Sequence, residues 1–147
     1  INKQDDTTGA ACEGLPAYSG SSGLNVNGGE SKAFSGAASF NTVNNNNNFK
    51  VCGSLAVKNQ FNLNGGSLTE IYGSFAFGQY NGNTQMNVNS KLILSGSIVI
   101  YGDLNLNGGS SIEFVGTGNS ITIYGRVNKS AGVTITGDYD DTEGKLN

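Results

Sequence analysis

The sequence contains no histidine, no tryptophan and a single proline in 147 residues. Without histidine the chain has no Ser-His-Asp triad, no Cys-His pair and no His-ligated zinc site. Charged residues make up only 13% of the chain, with eight Lys and Arg against eleven Asp and Glu. Because a nucleic-acid-binding surface needs an excess of basic residues, we expect no nucleic-acid partner.

Long apolar runs and helical heptads are missing as well. No run of about eighteen apolar residues occurs, so we expect no membrane insertion. Leucine-rich heptads are absent, which excludes a coiled coil, and glycine does not recur at every third position, which excludes collagen. The chain is instead rich in glycine (23 residues) and asparagine (21 residues). Its apolar residues, 36% of the total, lie in short alternating runs, which favours a folded chain.

The clearest positive signal is an internal repeat of two short phrases. The first is apolar-Asn-apolar-Asn-Gly-Gly, found at 24–29 (LNVNGG), 61–66 (FNLNGG) and 104–109 (LNLNGG), with a variant (MNVN) at 86–89. The second ends in Tyr-Gly or Cys-Gly, at Gly53 (FKVCG), Gly73 (TEIYG), Gly102 (IVIYG) and Gly125 (ITIYG). We interpret the second phrase as one corner that recurs in successive coils.

Short alternating strands separated by glycine corners, recurring every twenty-odd residues, predict a β-solenoid. One coil has too few apolar residues for a core, whereas coils stacked about 4.8 Å apart share a continuous one. We therefore predict an all-β, single-domain β-solenoid (parallel β-helix) of roughly six coils, with an N-terminal arm or cap. The alternative is an antiparallel β-sandwich, which does not require the same phrase to recur.

The beginning of the chain is less regular than the rest. Residues 1–48 are predicted to form an arm and one or two imperfect coils, and residues 49–147 regular coils with an acidic tail, in one domain overall. The five asparagines at 44–48 are interpreted as a loop or corner. The arm contains Cys12, one of the two cysteines of a predicted disulfide.

Cys12 and Cys52 are the two cysteines, and we predict that they form a disulfide tying the arm to the first regular coil. Two buried free thiols are the alternative. Disulfides persist in oxidising compartments, and the chain begins at Ile1 rather than methionine. We therefore expect a secreted protein, extracellular or at the cell surface, from which a signal peptide or other leading residues have been removed.

Strand alternation predicts which polar side chains face solvent. The asparagines of the first phrase should form two outward columns on one face: Asn25, Asn27, Asn62, Asn64, Asn87, Asn89, Asn105 and Asn107. These columns are either a self-satisfied ladder that fixes the register or a flat uncharged surface for a glycan, another filament or ice. The second phrase predicts an outward column of Tyr72, Tyr101 and Tyr124, which is either an internal ladder or a contact stripe.

The tail concentrates acidic residues, at Asp138, Asp140, Asp141 and Glu143. Their oxygens are a low-ranked candidate for calcium, with a solvated acidic end as the alternative, and we expect no other cofactor. Within the coils the acids Glu70, Asp103 and Glu113 are isolated. Because glycoside hydrolysis needs a pair of carboxylates, we expect no enzymatic activity.

On the FNLNGG and IVIYG/ITIYG phrases, over roughly residues 49–136, the chain resembles secreted bacterial Gly/Asn-rich β-solenoid surface proteins. These include adhesin stalks and self-assembling extracellular fibre subunits. Since open solenoid ends need partners, we expect a structural subunit that assembles head-to-tail with itself into an extracellular filament or surface fibre. The first alternative is an adhesin or glycan-binding module that uses the Asn and Tyr columns. Ice binding ranks lower, because Thr122, Thr134 and Thr136 form only short runs.

Overall fold

The computed structural model describes residues 12–20, 22–79 and 83–147. This part of the chain contains twelve β-strands and no helix that could cross a membrane. The strands are β1 (Gly23–Val26), β2 (Ser31–Asn45), β3 (Asn48–Leu63), β4 (Leu68–Phe77), β5 (Gln85–Val88), β6 (Lys91–Ile100), β7 (Asp103–Leu106), β8 (Ser111–Phe114), β9 (Ser120–Ile123), β10 (Val127–Lys129), β11 (Thr134–Thr136) and β12 (Asp140–Asp141).

Every strand pair is parallel and joins one coil to the next, so the strand segments stack into three faces. Face A consists of residues 23–26, 42–45, 60–63, 85–88, 103–106 and 127–129. Face B consists of residues 31–35, 48–52, 68–72, 91–94, 111–114 and 134–136. Face C consists of residues 36–40, 53–57, 73–77, 97–100, 120–123 and 140–141. The predicted β-solenoid of about six coils is confirmed, and the antiparallel sandwich is wrong.

The core is a single column of apolar side chains enclosed by the three faces. Strand alternation sends every second residue inward, and these residues are buried on all three faces. Aromatic rings link the faces: Phe61 lies edge-on to Phe49 and Phe75, with ring centroids 6.1 and 5.7 Å apart. Stacking therefore gives each short strand a core that its own coil could not supply.

The corner between faces B and C is built from stacked glycines, Gly36, Gly53, Gly73 and Gly96, all with positive φ. A β-carbon on Gly73 would lie 1.9 Å from the carbonyl oxygen of Gly53, closer than any side chain tolerates. Glycine is required here both because φ is positive and because the backbones of adjacent coils touch.

The predicted single corner for the second phrase is wrong. Gly53 and Gly73 lie between faces B and C, whereas Gly102 and Gly125 lie between faces C and A. A β-carbon on Gly125 would meet the carbonyl oxygen of Gly102 at 2.0 Å. At both corners the backbones of adjacent coils come into close contact, so both corners select glycine. The sequence phrase is therefore the same at the two corners and does not show which one a given glycine occupies.

The asparagine run at 44–48 is not one loop. Asn44 and Asn45 end β2 and Asn48 begins β3, so only two residues make the turn. Asn45 is completely buried, and its amide donates to the carbonyl of Leu68 and to the hydroxyl of Thr69, both at 2.9 Å. These hydrogen bonds outweigh the low strand propensity of asparagine.

The segment of residues 12–20 covers the N-terminal end of the core. The Ser35 N–H donates to the Pro16 carbonyl at 2.9 Å, and the Tyr18 ring packs on Phe34 and Phe40 with centroids 4.8 and 4.5 Å away. The disulfide joins Cys12 to Cys52 in the second coil. The segment is thus held by one covalent bond, by hydrogen bonds to Ser35 and by ring packing.

The C-terminal tail covers the other end. Leu146 is fully buried, and its carbonyl accepts a hydrogen bond from Lys129 Nζ at 3.0 Å. The Asp141 carboxylate accepts the backbone N–H groups of Lys145, Leu146 and Asn147 at 2.8 to 3.2 Å. One acidic side chain therefore shapes the turn that places Leu146 over the core.

Candidate functional site

The most regular surface of the molecule is a row of asparagines along face A, which we call the asparagine ladder. It has one member in each coil: Asn25, Asn44, Asn62, Asn87, Asn105 and Asn128. From the second coil onward, each Nδ2 donates to the Oδ1 of the preceding member, at 3.0, 2.7, 2.9, 2.8 and 2.7 Å in chain order. The ladder therefore runs through all six coils with one direction of donation.

The ladder uses only half of each amide. An asparagine side chain has two N–H donors and an oxygen with two lone pairs, and a ladder position inside the stack uses one donor and one lone pair. The remaining donor and acceptor of each rung are available toward solvent, about 4.8 Å from those of the next rung. Face A thus presents a periodic, uncharged hydrogen-bonding row.

A second row lies at the edge of face A where the strands turn toward face B. Asn64 donates to Asn46 at 2.8 Å, and Asn107 donates to Asn89 at 2.6 Å. On the opposite edge, Gln79 donates to Asn59 at 3.0 Å, and Asn59 donates to Asn41. Asn27 occupies the first coil of the second row, where its backbone N–H donates to Glu30.

The structure brings all eight predicted asparagines to face A or its edge. Sequence reasoning missed several further ones: Asn41, Asn44, Asn46, Asn59 and Asn128. Two of these continue the ladder, and both follow a buried or half-buried valine in the short motifs TVNN and RVNK. That apolar-Asn pair is the signal that was available, but neither motif carries the Gly-Gly that identified the other coils.

The predicted column of three tyrosines is wrong. Tyr101 and Tyr124 stack at the corner between faces C and A, with centroids 5.6 Å apart and planes inclined by 16°. Tyr124 is 43% exposed and is the one large exposed hydrophobic side chain of the described residues. Tyr72 lies at the other corner, beside the glycine stack, because its phrase ends where face B turns into face C.

Tyr72 is a buried member of a small polar cluster on face B. Its hydroxyl donates to Glu70 at 2.5 Å, and Lys50 Nζ lies 5.7 Å from its ring centroid. Burial, and next to it the hydrogen bond and charge of Glu70, hold the pKa of Tyr72 well above its usual 10.0. The hydroxyl therefore stays protonated at neutral pH and is a structural donor.

The acidic tail and the threonines supply no further cluster. Among the residues described by the structure, no group of three or more His, Cys, Asp or Glu could hold a metal ion. The Asp141 carboxylate is engaged by backbone donors, as noted above. Thr122 lies on face C, where it bonds Thr142 at 2.6 Å, whereas Thr134 and Thr136 lie on face B. The three candidate threonines thus do not all lie on one face.

Comparison of the chain with protein-family models, with curated proteins and with solved structures finds no match in any of the three. The features that bear on function are the ladder on face A, the strand edges at the C-terminal end and the disulfide.

Proposed function

We propose that this chain is a structural subunit that assembles head-to-tail with copies of itself into an extracellular filament or surface fibre. The observation that carries the proposal is the strand pairing at the C-terminal end. Among the described strands, β10, β11 and β12 each pair only with a strand of the preceding coil. Their one-sided edges offer backbone N–H and C=O groups that another strand satisfies.

The two end segments cover the apolar interior of the solenoid to a greater extent than they cover its strand edges. At the N-terminal end the Ala17–Ser35 bridge lies on face B, and Tyr18 packs over the core. At the C-terminal end Leu146 fills the core while β10 keeps one paired side. The edge of β10 on face A is thus the strongest candidate for a contact between subunits.

Charge and disulfide chemistry support the same proposal. A net charge of −3 and the uncharged ladder limit repulsion between stacked copies. The Cys12–Cys52 disulfide is typical of an oxidising compartment, which supports an extracellular or cell-surface location.

The test uses the purified chain with its disulfide intact, over a wide concentration range. We expect sedimentation velocity to show growing species and negative-stain electron microscopy to show rods whose length exceeds one coil stack. Aligned rods should diffract with a meridional spacing near 4.8 Å. Monomers alone at every concentration would reject the proposal.

The second candidate, a glycan-binding or adhesin module, is favoured by the stacked Tyr101–Tyr124 pair beside face A. An exposed aromatic face next to spare amide donors and acceptors suits a sugar ring, which has one apolar face and peripheral hydroxyls. A glycan array should then give hits that Tyr124→Ala and Asn105→Ala weaken. An array without hits would remove this candidate.

A further inference from the structure

Asn-Gly pairs occupy the same corner, between faces A and B, in the first, third and fifth coils: Asn27–Gly28, Asn64–Gly65 and Asn107–Gly108. Asparagine is a chemically labile residue, and a following glycine, which has no β-carbon, leaves its backbone nitrogen accessible. In each pair the asparagine carbonyl accepts the N–H of the residue three positions on, at 3.0 to 3.1 Å, and the second glycine has a φ of +81° to +85°. The three turns thus share one backbone geometry. A fourth pair, Asn81–Gly82, lies outside the described residues.

The asparagine side chains of the three turns differ in what holds them. Asn64 Nδ2 donates to Asn46 Oδ1 at 2.8 Å, and Asn107 Nδ2 donates to Asn89 Oδ1 at 2.6 Å, so both amides are tied to the preceding coil. Asn27 lies in the first coil, and within the described part of the chain only its backbone, not its side chain, makes hydrogen bonds. It is exposed, whereas the other two are half-buried.

The turns in the third and fifth coils carry a second restraint, at the asparagine carbonyl. The hydroxyls of Ser67 and Ser110, both buried, donate to it at 2.6 and 2.7 Å. The corresponding residue of the first turn is Glu30, whose carboxylate accepts the backbone N–H of Asn27 instead. The Asn27 carbonyl therefore accepts one hydrogen bond within its turn, where the other two accept two.

We propose that Asn27 is a site of spontaneous deamidation, which reacts well before Asn64 and Asn107 and consumes water. The Gly28 nitrogen loses its proton to solvent base and bonds to Cγ of Asn27, the Cγ–Nδ2 bond breaks, and ammonia leaves a five-membered succinimide. One water then adds to the ring and opens it to aspartate or isoaspartate. The reaction needs no second copy of the chain, so it is independent of the proposed assembly.

The hydrogen bonds of the other two turns oppose ring closure. Closure rotates the side chain onto the glycine nitrogen and twists the asparagine carbonyl. At Asn64 and Asn107 it must therefore break the bond to the preceding coil and the bond from the serine hydroxyl. Two hydrogen bonds of ordinary net strength slow such a step by about tenfold.

The test incubates the chain, with its disulfide intact, at mildly alkaline pH and follows each Asn-Gly peptide by mass spectrometry after digestion at acidic pH. We expect aspartate and isoaspartate to appear at Asn27 about tenfold faster than at Asn64 or Asn107. Folded-state rates within about threefold of one another, the effect of a single hydrogen bond, would overturn the proposal. Aspartate without isoaspartate would overturn the ring step.

The reduced chain unfolded in urea is the control for local sequence. Each of the three pairs follows a valine or leucine and precedes a second glycine, so the three rates should converge once the turns are lost. A difference that persists in urea would assign the selectivity to the sequence and overturn the role of the fold.

Asn89→Ala separates the side-chain hydrogen bond from burial. It removes the acceptor of Asn107 and leaves Asn46, the acceptor of Asn64, in place. We expect Asn107 to react about threefold faster and Asn64 to keep its rate, so that Asn64 controls for a general loosening of the fold within the same molecule. Equal acceleration at both residues, or none at Asn107, would overturn the protection by the second row.

Discussion

Replacing Gly73 with alanine tests the stacking of the coils directly. Gly73 lies in the glycine corner between Gly53 and Gly96, with φ at +136°. Its added methyl carbon would lie 1.9 Å from the oxygen and 2.8 Å from the carbon of the Gly53 carbonyl. The clash is with backbone, and the residues on either side are paired to the preceding coil, so the neighbouring atoms have little freedom to move.

The magnitude follows from two terms. An L-residue at this φ costs about 1–3 kcal/mol. Relieving the contact requires the coils to separate by more than about 1 Å, since non-bonded heavy atoms pack at about 3.5 Å. Because this separation disrupts the backbone hydrogen bonds between the coils around Gly73, we expect a severe destabilisation of about 4 kcal/mol or more. That is a large fraction of the roughly 5–15 kcal/mol that stabilises a domain of ordinary size.

Two other glycines separate these terms. Gly65 has an ordinary φ and open space around its Cα, so Gly65→Ala should change stability by less than about 1 kcal/mol. Gly66 has φ +81° and the same open space, so Gly66→Ala should show the backbone term alone. Urea unfolding followed by circular dichroism, with the disulfide intact, measures all three. If Gly73→Ala is as stable as Gly65→Ala, the coils do not contact each other in this register.

Three further predictions concern the ladder, the disulfide and Tyr72. Asn62→Ala removes two ladder hydrogen bonds and should lower the free energy of unfolding by about 1–3 kcal/mol, whereas Gln60→Ala on the same strand should change it by less than about 0.5 kcal/mol; equal effects in urea would contradict the ladder. Replacing Cys12 and Cys52 with alanine opens a loop with a sequence separation of 40 and should cost about 4 kcal/mol, and an unchanged thermal melt would show that the cross-link does not constrain the unfolded chain. Because the folded pKa of Tyr72 is raised, the unfolded chain loses this proton first, and stability should fall as pH rises above the usual pKa of 10.0. Tyr72→Phe should make that fall less steep by up to about 1.4 kcal/mol per pH unit, and an identical pH dependence would show that the hydroxyl is not buried.

Local alternation was sufficient to predict the architecture and most of face A. In FNLNGG and LNLNGG the apolar residues occupy every second position, and a strand must send them to one side. Recurrence of the same phrase then implies that the copies stack, because each one alone has no core. Leu63 and Leu106 accordingly lie in one inward column, linked through Val88.

The corners and the ladder ends required the structure. Gly73 and Gly102 end similar sequence phrases, TEIYG and IVIYG. One coil contains three corners, however, and glycine is favoured at each corner where two backbones touch. The glycine phrases therefore predict that the chain turns, but they do not predict which face follows the turn. Asn44 and Asn128 were missed for a related reason, since only the strand register aligns them with Asn62 and Asn105.

The two end segments also could not be predicted from the sequence. Leu146 is a single apolar residue in a polar stretch, Tyr18 follows Leu15, Pro16 and Ala17, and no periodicity marks either of them as buried. Their burial depends on the position of the open core, to which the disulfide and the Asp141 turn bring them.

The sequence by itself determined that the chain forms short parallel strands with an apolar inside and an asparagine-rich outside, because the period of two acts within each strand. The tertiary structure alone decided which corner each glycine occupies, which asparagines donate to which, and what covers the two ends. Those features depend on contacts between residues about twenty positions apart, and their geometry exists only once the coils are stacked.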